Sequence, residues 1–333
     1  PEQTNNVQAS PYEFQTDAIL GVHEVARTIE HAAKDDKIKG IYLKTTGFGG
    51  GLVKVDIIRE ALENFKAEGK FVFAHSKFYT QGAYLLASSA DKVYLNPMGM
   101  VDFRGFGGVL SFYKNLLDKT DIEMQIFYAG KFKGATEPYR LDKLSDENRE
   151  QLMEYVNDMY DKYLENLSES RDISTDSLRS IADNYYGGVA EQAQQVGLVD
   201  EVAYEDQVMA EIRERLGFGE NKKIKTVSLN KYYNASDISS DKSSDNVVAV
   251  VYAEGVILDG DGEIGIIGDK PYMEVANKLK RDGKVKAVVL RINSPGGSAM
   301  ASENIWRTFM LLRDVGKPVI ISMGECAASG GFL

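Results

Sequence analysis

Two short apolar runs, residues 41–43 and 287–292, each stand between stretches of helical periodicity, and the chain around them repeats itself. Lys37-Ile38-Lys39-Gly40-Ile41-Tyr42-Leu43-Lys44 returns as Lys284-Val285-Lys286-Ala287-Val288-Val289-Leu290-Arg291, an offset of 284 − 37 = 247. An amphipathic segment precedes each copy, with Val25-Ala26 in one and Val275-Ala276 in the other. A glycine turn follows each, Gly49-Gly50-Gly51 and Pro295-Gly296-Gly297. Gly69-Lys70-Phe71-Val72-Phe73 matches Gly316-Lys317-Pro318-Val319-Ile320, and Gln81-Gly82-Ala83-Tyr84 matches Ser329-Gly330-Gly331-Phe332 at an offset of 248. A period this long marks a duplicated domain rather than a solenoid unit. Each copy reads helix, apolar strand, glycine turn, helix, apolar strand, glycine turn. That order predicts an α/β fold with parallel βαβ units. Ligands in such sheets sit at the carboxyl ends of the strands, where both glycine turns fall.

The pattern predicts a first domain over residues 1–218, with a mainly helical extension from 144, a polar linker over 219–246, and a second domain over 247–333. The second domain opens on a strand at 247–256, and residues 2–8 are too polar to supply its counterpart. With 39 basic and 50 acidic residues the net charge is −11, which excludes the basic face that nucleic acid requires. The single cysteine, Cys326, forbids an intrachain disulfide and is expected to be a buried packing residue. No run of about 18 apolar residues is present to cross a membrane. The chain opens on Pro1 without a charged and apolar leader and stops inside an apolar, glycine-rich segment. It is therefore expected to be a portion of a longer protein, with its second copy truncated.

Candidate chemistry gathers at the second copy's turns. Adjacent glycines in Asn293-Ser294-Pro295-Gly296-Gly297-Ser298 allow close approach and outward N–H groups, the makings of an oxyanion hole, though a plain βα turn looks the same. In Ala327-Ala328-Ser329-Gly330-Gly331 the serine has small neighbours and the setting of a nucleophile elbow, or of a helix N-cap. Ser329 lies 329 − 297 = 32 residues beyond the glycine pair. A serine needs a base. His23, His31 and His75 all fall in the first copy, and surface or packing roles suit them. A desolvated lysine is the alternative. Lys131 and Lys133, in Gly130-Lys131-Phe132-Lys133-Gly134-Ala135, are not separated by composition. The loop Gly260-Asp261-Gly262-Glu263-Ile264-Gly265 fits a dinucleotide fingerprint, but Asp259, Asp261 and Glu263 would repel a pyrophosphate. A calcium loop counted from Asp259 would need Glu where Lys270 stands. No cofactor or metal is called for.

These residues together resemble the long, duplicated form of the signal peptide peptidase A family, with tandem domains of the ClpP/crotonase-like fold. The resemblance covers nearly the whole chain. It is carried by residues 289–298, by Ser322-Met323-Gly324 running into Ala327-Ala328-Ser329-Gly330-Gly331-Phe332, by Gly130 and Lys133 with Glu137-Pro138-Tyr139, and by Gly187-Gly188-Val189 and Gly197-Leu198-Val199-Asp200. It implies a Ser-Lys dyad, with Ser329 as nucleophile and Lys133 as general base. It also implies an oxyanion hole from Gly296, Gly297 and Gly330. Gln81 holds the first copy's place for the nucleophile, so each copy would contribute one half of the dyad. The resemblance further implies signal peptides or other apolar peptides as substrate, a homotetramer, and a site on the extracytoplasmic face of a bacterial membrane with the anchor outside this chain. A crotonase-like acyl-CoA enzyme and a non-catalytic scaffold of the same fold are the alternatives.

Overall fold

The computed structural model describes residues 2–3, 19–219, 222–236, 238 and 244–332. β1 (Gly40–Leu43), β2 (Phe71–Tyr79), β3 (Lys92–Val101) and β4 (Glu201–Val202) form one sheet in that order. β2 runs parallel to β3, with Phe73 opposite Lys92, and β3 runs parallel to β4, with Tyr94 opposite Glu201. Then follow β5 (Val247–Glu254), β6 (Val256–Leu258), β7 (Ile266–Gly268), β8 (Val285–Ser294) and β9 (Val319–Ala327). β5, β8 and β9 make a second parallel sheet in that order, while β6 and β7 pair with each other. The expected strand over 247–256 is thus broken at Gly255. That residue has φ 118° and gives its N–H to Asn293 O, and the chain then leaves the sheet to pair with β7.

The duplication holds at the helices to the residue. Helices Val22–Lys34 and Leu52–Ala67 correspond to Asp269–Arg281 and Ala299–Asp314. All four boundaries shift by 247, as in 269 − 22 and 314 − 67. The closure of the leading helix recurs as well. Lys70 Nζ donates to the carbonyls of Ala32 (2.6 Å) and Asp35 (2.7 Å), and Lys317 Nζ to those of Leu279 (2.5 Å) and Asp282 (2.6 Å). The ammonium adds a second donor to Ala32 O, Asp35 O and Asp282 O, which already accept from Asp35 N, Ile38 N and Val285 N, and it meets the negative end of the helix dipole.

By packing, the chain divides into two compact units, one of Gly40–Phe48 with Val72–Glu220, the other of Pro1–Lys39, Gly49–Phe71 and Asn221–Leu333. These are not the two sequence copies, since helices Val22–Lys34 and Leu52–Ala67 fall in one unit with the strands of the second copy. The segment expected to be a polar linker carries a helix, Leu229–Ala235. Its Tyr232 hydroxyl donates to Asp35 Oδ2 (2.9 Å) and lies 3.0 Å from His31 Nδ1.

The first unit has an aromatic core in which Tyr79, Tyr84, Tyr94, Phe103 and Tyr163 are buried. Buried phenols need acceptors, and Tyr84 donates to Leu198 O (2.6 Å) and Tyr79 to Tyr94 O (3.0 Å). Helix Asp146–Arg171, capped by Ser145, ends where Arg171 grips both carboxylate oxygens of Asp200 at 2.9 Å. The other unit's core is aliphatic, with Val288 and Leu290 of β8 against Ala301, Ile305, Phe309 and Leu312 of the following helix. That burial fixes β8 and aims its carboxyl end, with the glycine turn, out of the sheet.

Candidate functional site

Ser329 opens a short 3-10 turn directly after β9 and is exposed. Its backbone sits at φ 52°, in the left-handed region. A non-glycine residue there stores strain of the order of 1–3 kcal/mol, of the kind that clusters at functional sites. Ser294, fully buried at the end of β8, fastens both turns. Its carbonyl accepts from Ala328 N (3.0 Å), and its Oγ accepts from Gly296 N (3.0 Å). The serine turn and the glycine turn therefore hang from one residue.

The glycine turn is held from its other side by β6. Ile257 N donates to Gly296 O (3.0 Å) and Ser298 N donates to Ile257 O (2.8 Å). Because a trans peptide sets its C=O and N–H in opposite directions, the Gly297 N–H points away from β6. Gly296 lies hard against the serine turn. A Cβ added there would come within 2.6 Å of Ala328 O, 2.7 Å of Gly330 N and 2.8 Å of Ser329 Cβ. A Cβ on Gly330 would lie 3.6 Å from Gly297 N and run into Ser302 Oγ. Among the described residues, no acceptor takes the N–H of Gly297 or of Gly330, whereas that of Gly296 is engaged by Ser294. Such an arrangement offers two backbone donors to an anion beside a serine hydroxyl.

Ser329, Gly296, Gly297 and Gly330 thus share one unit, and Lys133 belongs to the other. Lys133 and Lys131 are both exposed within theirs. Lys133 leads into a 3-10 turn, Gly134–Thr136, and then into the short helix Glu137–Arg140. Glu137 is completely buried. It accepts from Ser145 Oγ (2.5 Å), Asn148 Nδ2 (3.0 Å) and Ser145 N (3.1 Å), with Arg140 Nη2 at 3.4 Å. Burial pushes its carboxyl up, but these donors and the Arg140 charge outweigh burial and hold it below the ordinary carboxylate value. Sequence reasoning noted Glu137 only as a family marker, and it passed over Ser294, Ser302 and Ile257. The one local signal for the Glu137 cage is Ser145, a helix N-cap followed by Asp-Glu-Asn.

The remaining candidates have other employment. Gln81 donates to Gly105 O, accepts from Arg104 N, and takes Tyr163 Oη on its carbonyl. His75 is buried in β2 between Tyr42 Oη and Ala203 O, each at 3.3 Å. Burial lowers its pKa. Cys326 is exposed, contrary to the packing role expected of it, because it stands on β9, the last strand of its sheet among the described residues. In the acidic loop, Asp259 accepts from Ser298 Oγ (2.7 Å) and Asp261 pairs with Lys270. Among the described residues there is no cluster of three metal-ligating side chains and no helix long and apolar enough to cross a membrane.

Residues 64–218 match the profile of peptidase family S49. The chain is 36% identical to Protease 4 of Haemophilus influenzae over 322 residues, which is 94% of this chain and 52% of that protein. It is 36% identical to Protease 4 of Salmonella typhi over 318 residues, 93% of this chain and 51% of that protein. To the chloroplastic serine protease SPPA of Arabidopsis thaliana it is 30% identical over 321 residues, 94% of this chain and 47% of that protein. The chain spans about half the length of these curated relatives. Their likeness extends across both copies, the profile match marks a peptidase family S49 domain at residues 64–218, and the parallel α/β architecture is of the ClpP/crotonase-like fold class.

Proposed function

We propose that the protein is a serine endopeptidase in which Ser329 attacks the peptide carbonyl and Lys133 takes the hydroxyl proton. The observation that carries the reading is the left-handed backbone of Ser329 set beside the unengaged amides of Gly297 and Gly330. In this reaction the proton of Ser329 Oγ passes to a neutral Lys133 Nζ as the Oγ–C bond forms. Gly297 and Gly330 N–H donate to the oxyanion, and Gly296 lets the two turns meet. Collapse breaks the C–N bond, and the departing amine takes the proton from Lys133. Water then hydrolyses the acyl-enzyme with the same lysine as base. A lysine serves as a base only once desolvation favours its neutral form. In this reading the substrate and neighbouring protein surface exclude water from Lys133.

Apolar segments of cleaved signal peptides as substrate, a homotetrameric assembly and an extracytoplasmic site at the bacterial membrane belong to the same proposal. Their support is the resemblance to signal peptide peptidase A. The test is made in the full-length protein with a fluorophosphonate probe and an apolar fluorogenic peptide. Ser329→Ala is expected to abolish labelling and hydrolysis. Lys133→Met and Lys133→Arg are expected to do the same, and Lys131→Met to keep most activity. Residual hydrolysis within tenfold of wild type in Ser329→Ala overturns the nucleophile. Full activity in Lys133→Met overturns the base. Coenzyme A binding without fluorophosphonate labelling would favour the acyl-CoA alternative.

A further inference from the structure

The turn that carries Lys133 packs against a buried asparagine, Asn148, which Glu137 holds by a hydrogen bond. Gly134 follows Lys133, and the carboxamide of Asn148 fills the space a Cβ at 134 would need. Asn148 is itself buried, at the first turn of helix Asp146–Arg171. Its Nδ2 is held by Glu137 Oε2 (3.0 Å), and its backbone N–H by the capping Ser145 Oγ (3.2 Å). Ser145 Oγ in turn donates to Glu137 Oε1 (2.5 Å). Glu137 is thus a fully buried carboxylate with every partner within the segment from Arg140 to Asn148. Burying a carboxylate is costly unless it is paired. A mere helix start needs no such group, since Ser145 already caps the helix. What the carboxylate adds is the orientation of Asn148 against Gly134, and so of the backbone that projects Lys133.

We infer that Glu137 is a positioning residue for the lysine base, acting through Asn148 on the Lys133-Gly134 backbone. The inference rests on the assignment of Lys133 in the proposed function. It implies that loss of the cage moves the base without touching the nucleophile or the oxyanion donors. A displacement of about 1 Å at a reacting group is enough to cost roughly 10²-fold in rate.

The experiment measures kcat and KM on an apolar fluorogenic peptide in the full-length protein, with thermal melting and amide exchange of residues 132–136. Glu137→Ala is expected to lower kcat about 30–100-fold with KM within threefold. Asn148→Ala, which leaves the Glu137–Ser145 bonds in place, is expected to lower kcat at least about tenfold. Glu137→Gln keeps an acceptor for Asn148 Nδ2 and is expected to recover activity to within about fivefold of wild type, since it preserves the geometry. Amide exchange at 132–136 is expected to quicken in Glu137→Ala and Asn148→Ala, with or without turnover. Should Glu137→Ala fail to fold, Asn148→Ala and Glu137→Gln decide. Unchanged kcat in Asn148→Ala, a loss appearing mainly in KM, a Glu137→Gln variant as poor as a folded Glu137→Ala, or unaltered exchange overturns the inference. Full activity in Lys133→Met sinks the base assignment instead, a result the exchange measurement leaves distinct.

Discussion

Replacing Gly296 by alanine would drive the glycine turn and the serine turn apart. The residue has φ 93°, which an L side chain rarely adopts, and its new methyl would meet backbone rather than yielding side-chain ends. Ordinary contact begins near 3.4 Å and the nearest atom, Ala328 O, would lie at 2.6 Å, so about 3.4 − 2.6 = 0.8 Å of movement is demanded. The strained backbone costs about 1–3 kcal/mol in stability. The displacement falls between Ser329 and the Gly297 and Gly330 amides, where a shift of about this size lowers reactivity by roughly 10²-fold. Gly316→Ala provides the comparison, because Gly316 has φ 82° with nothing within 4 Å of its added Cβ. Both variants should lose stability in urea titrations of the full-length protein. Only Gly296→Ala should lose its rate of fluorophosphonate labelling. Equal labelling in the two, with both folded, would refute the reasoning that this glycine sets the distance between the turns.

Lys70→Met and Lys317→Met remove equivalent closures of equivalent helices, so each is expected to cost about 1–2 kcal/mol for two carbonyls left without their ammonium donor. Urea midpoints differing by more than about the whole of that loss would show that the two copies do not use the clamp alike. His75 is held neutral by burial, below its ordinary value of about 6.5. Between its folded value and about 6.5 the unfolded chain binds a proton that the folded chain refuses. This contribution to stability is complete above that window and is lost as the pH falls through it. The urea midpoint should therefore drop on acidification below about pH 6.5, and His75→Gln should flatten that part of the profile. An unchanged slope in the variant would exclude His75 as its source.

The helices, the strands after them and the serine and glycine turns were legible because each depends on local pattern, and the pattern is written twice. The repeat set the offset of 247 that the paired helices keep, and small residues around Ser329 marked a turn that the backbone adopts at φ 52°. What escaped depends on residues far apart in the chain. Lys54, which no local pattern singles out, is buried within 4 Å of Glu2, Glu254 and Glu325, which lie 52, 200 and 271 positions away (54 − 2, 254 − 54, 325 − 54). The helix Leu229–Ala235 hid in a polar stretch because its pairing is with Asp35 and His31 rather than with a local apolar stripe. Cys326 was misjudged because a small apolar side chain is buried or exposed according to its strand's place in the sheet, which composition does not report.

The division of the chain into units that interrupt one another bears on its synthesis. Helices Val22–Lys34 and Leu52–Ala67 leave the ribosome early, but the strands of their unit begin at Val247. From Phe71 to Val247 the ribosome must add 247 − 71 = 176 residues. At about 5–20 residues per second that is a wait of roughly 10–35 seconds. Throughout it the apolar stripes of both helices, Val22, Ala26, Ile29 and Ala33 on the first and Val55, Ile58, Leu62 and Phe65 on the second, have no strand of their own unit to cover them. The other unit, Gly40–Phe48 with Val72–Glu220, is completed within that interval. Nascent chains arrested before residue 247 should accordingly present these two helices to chaperones more than chains from which residues 247–327 have emerged.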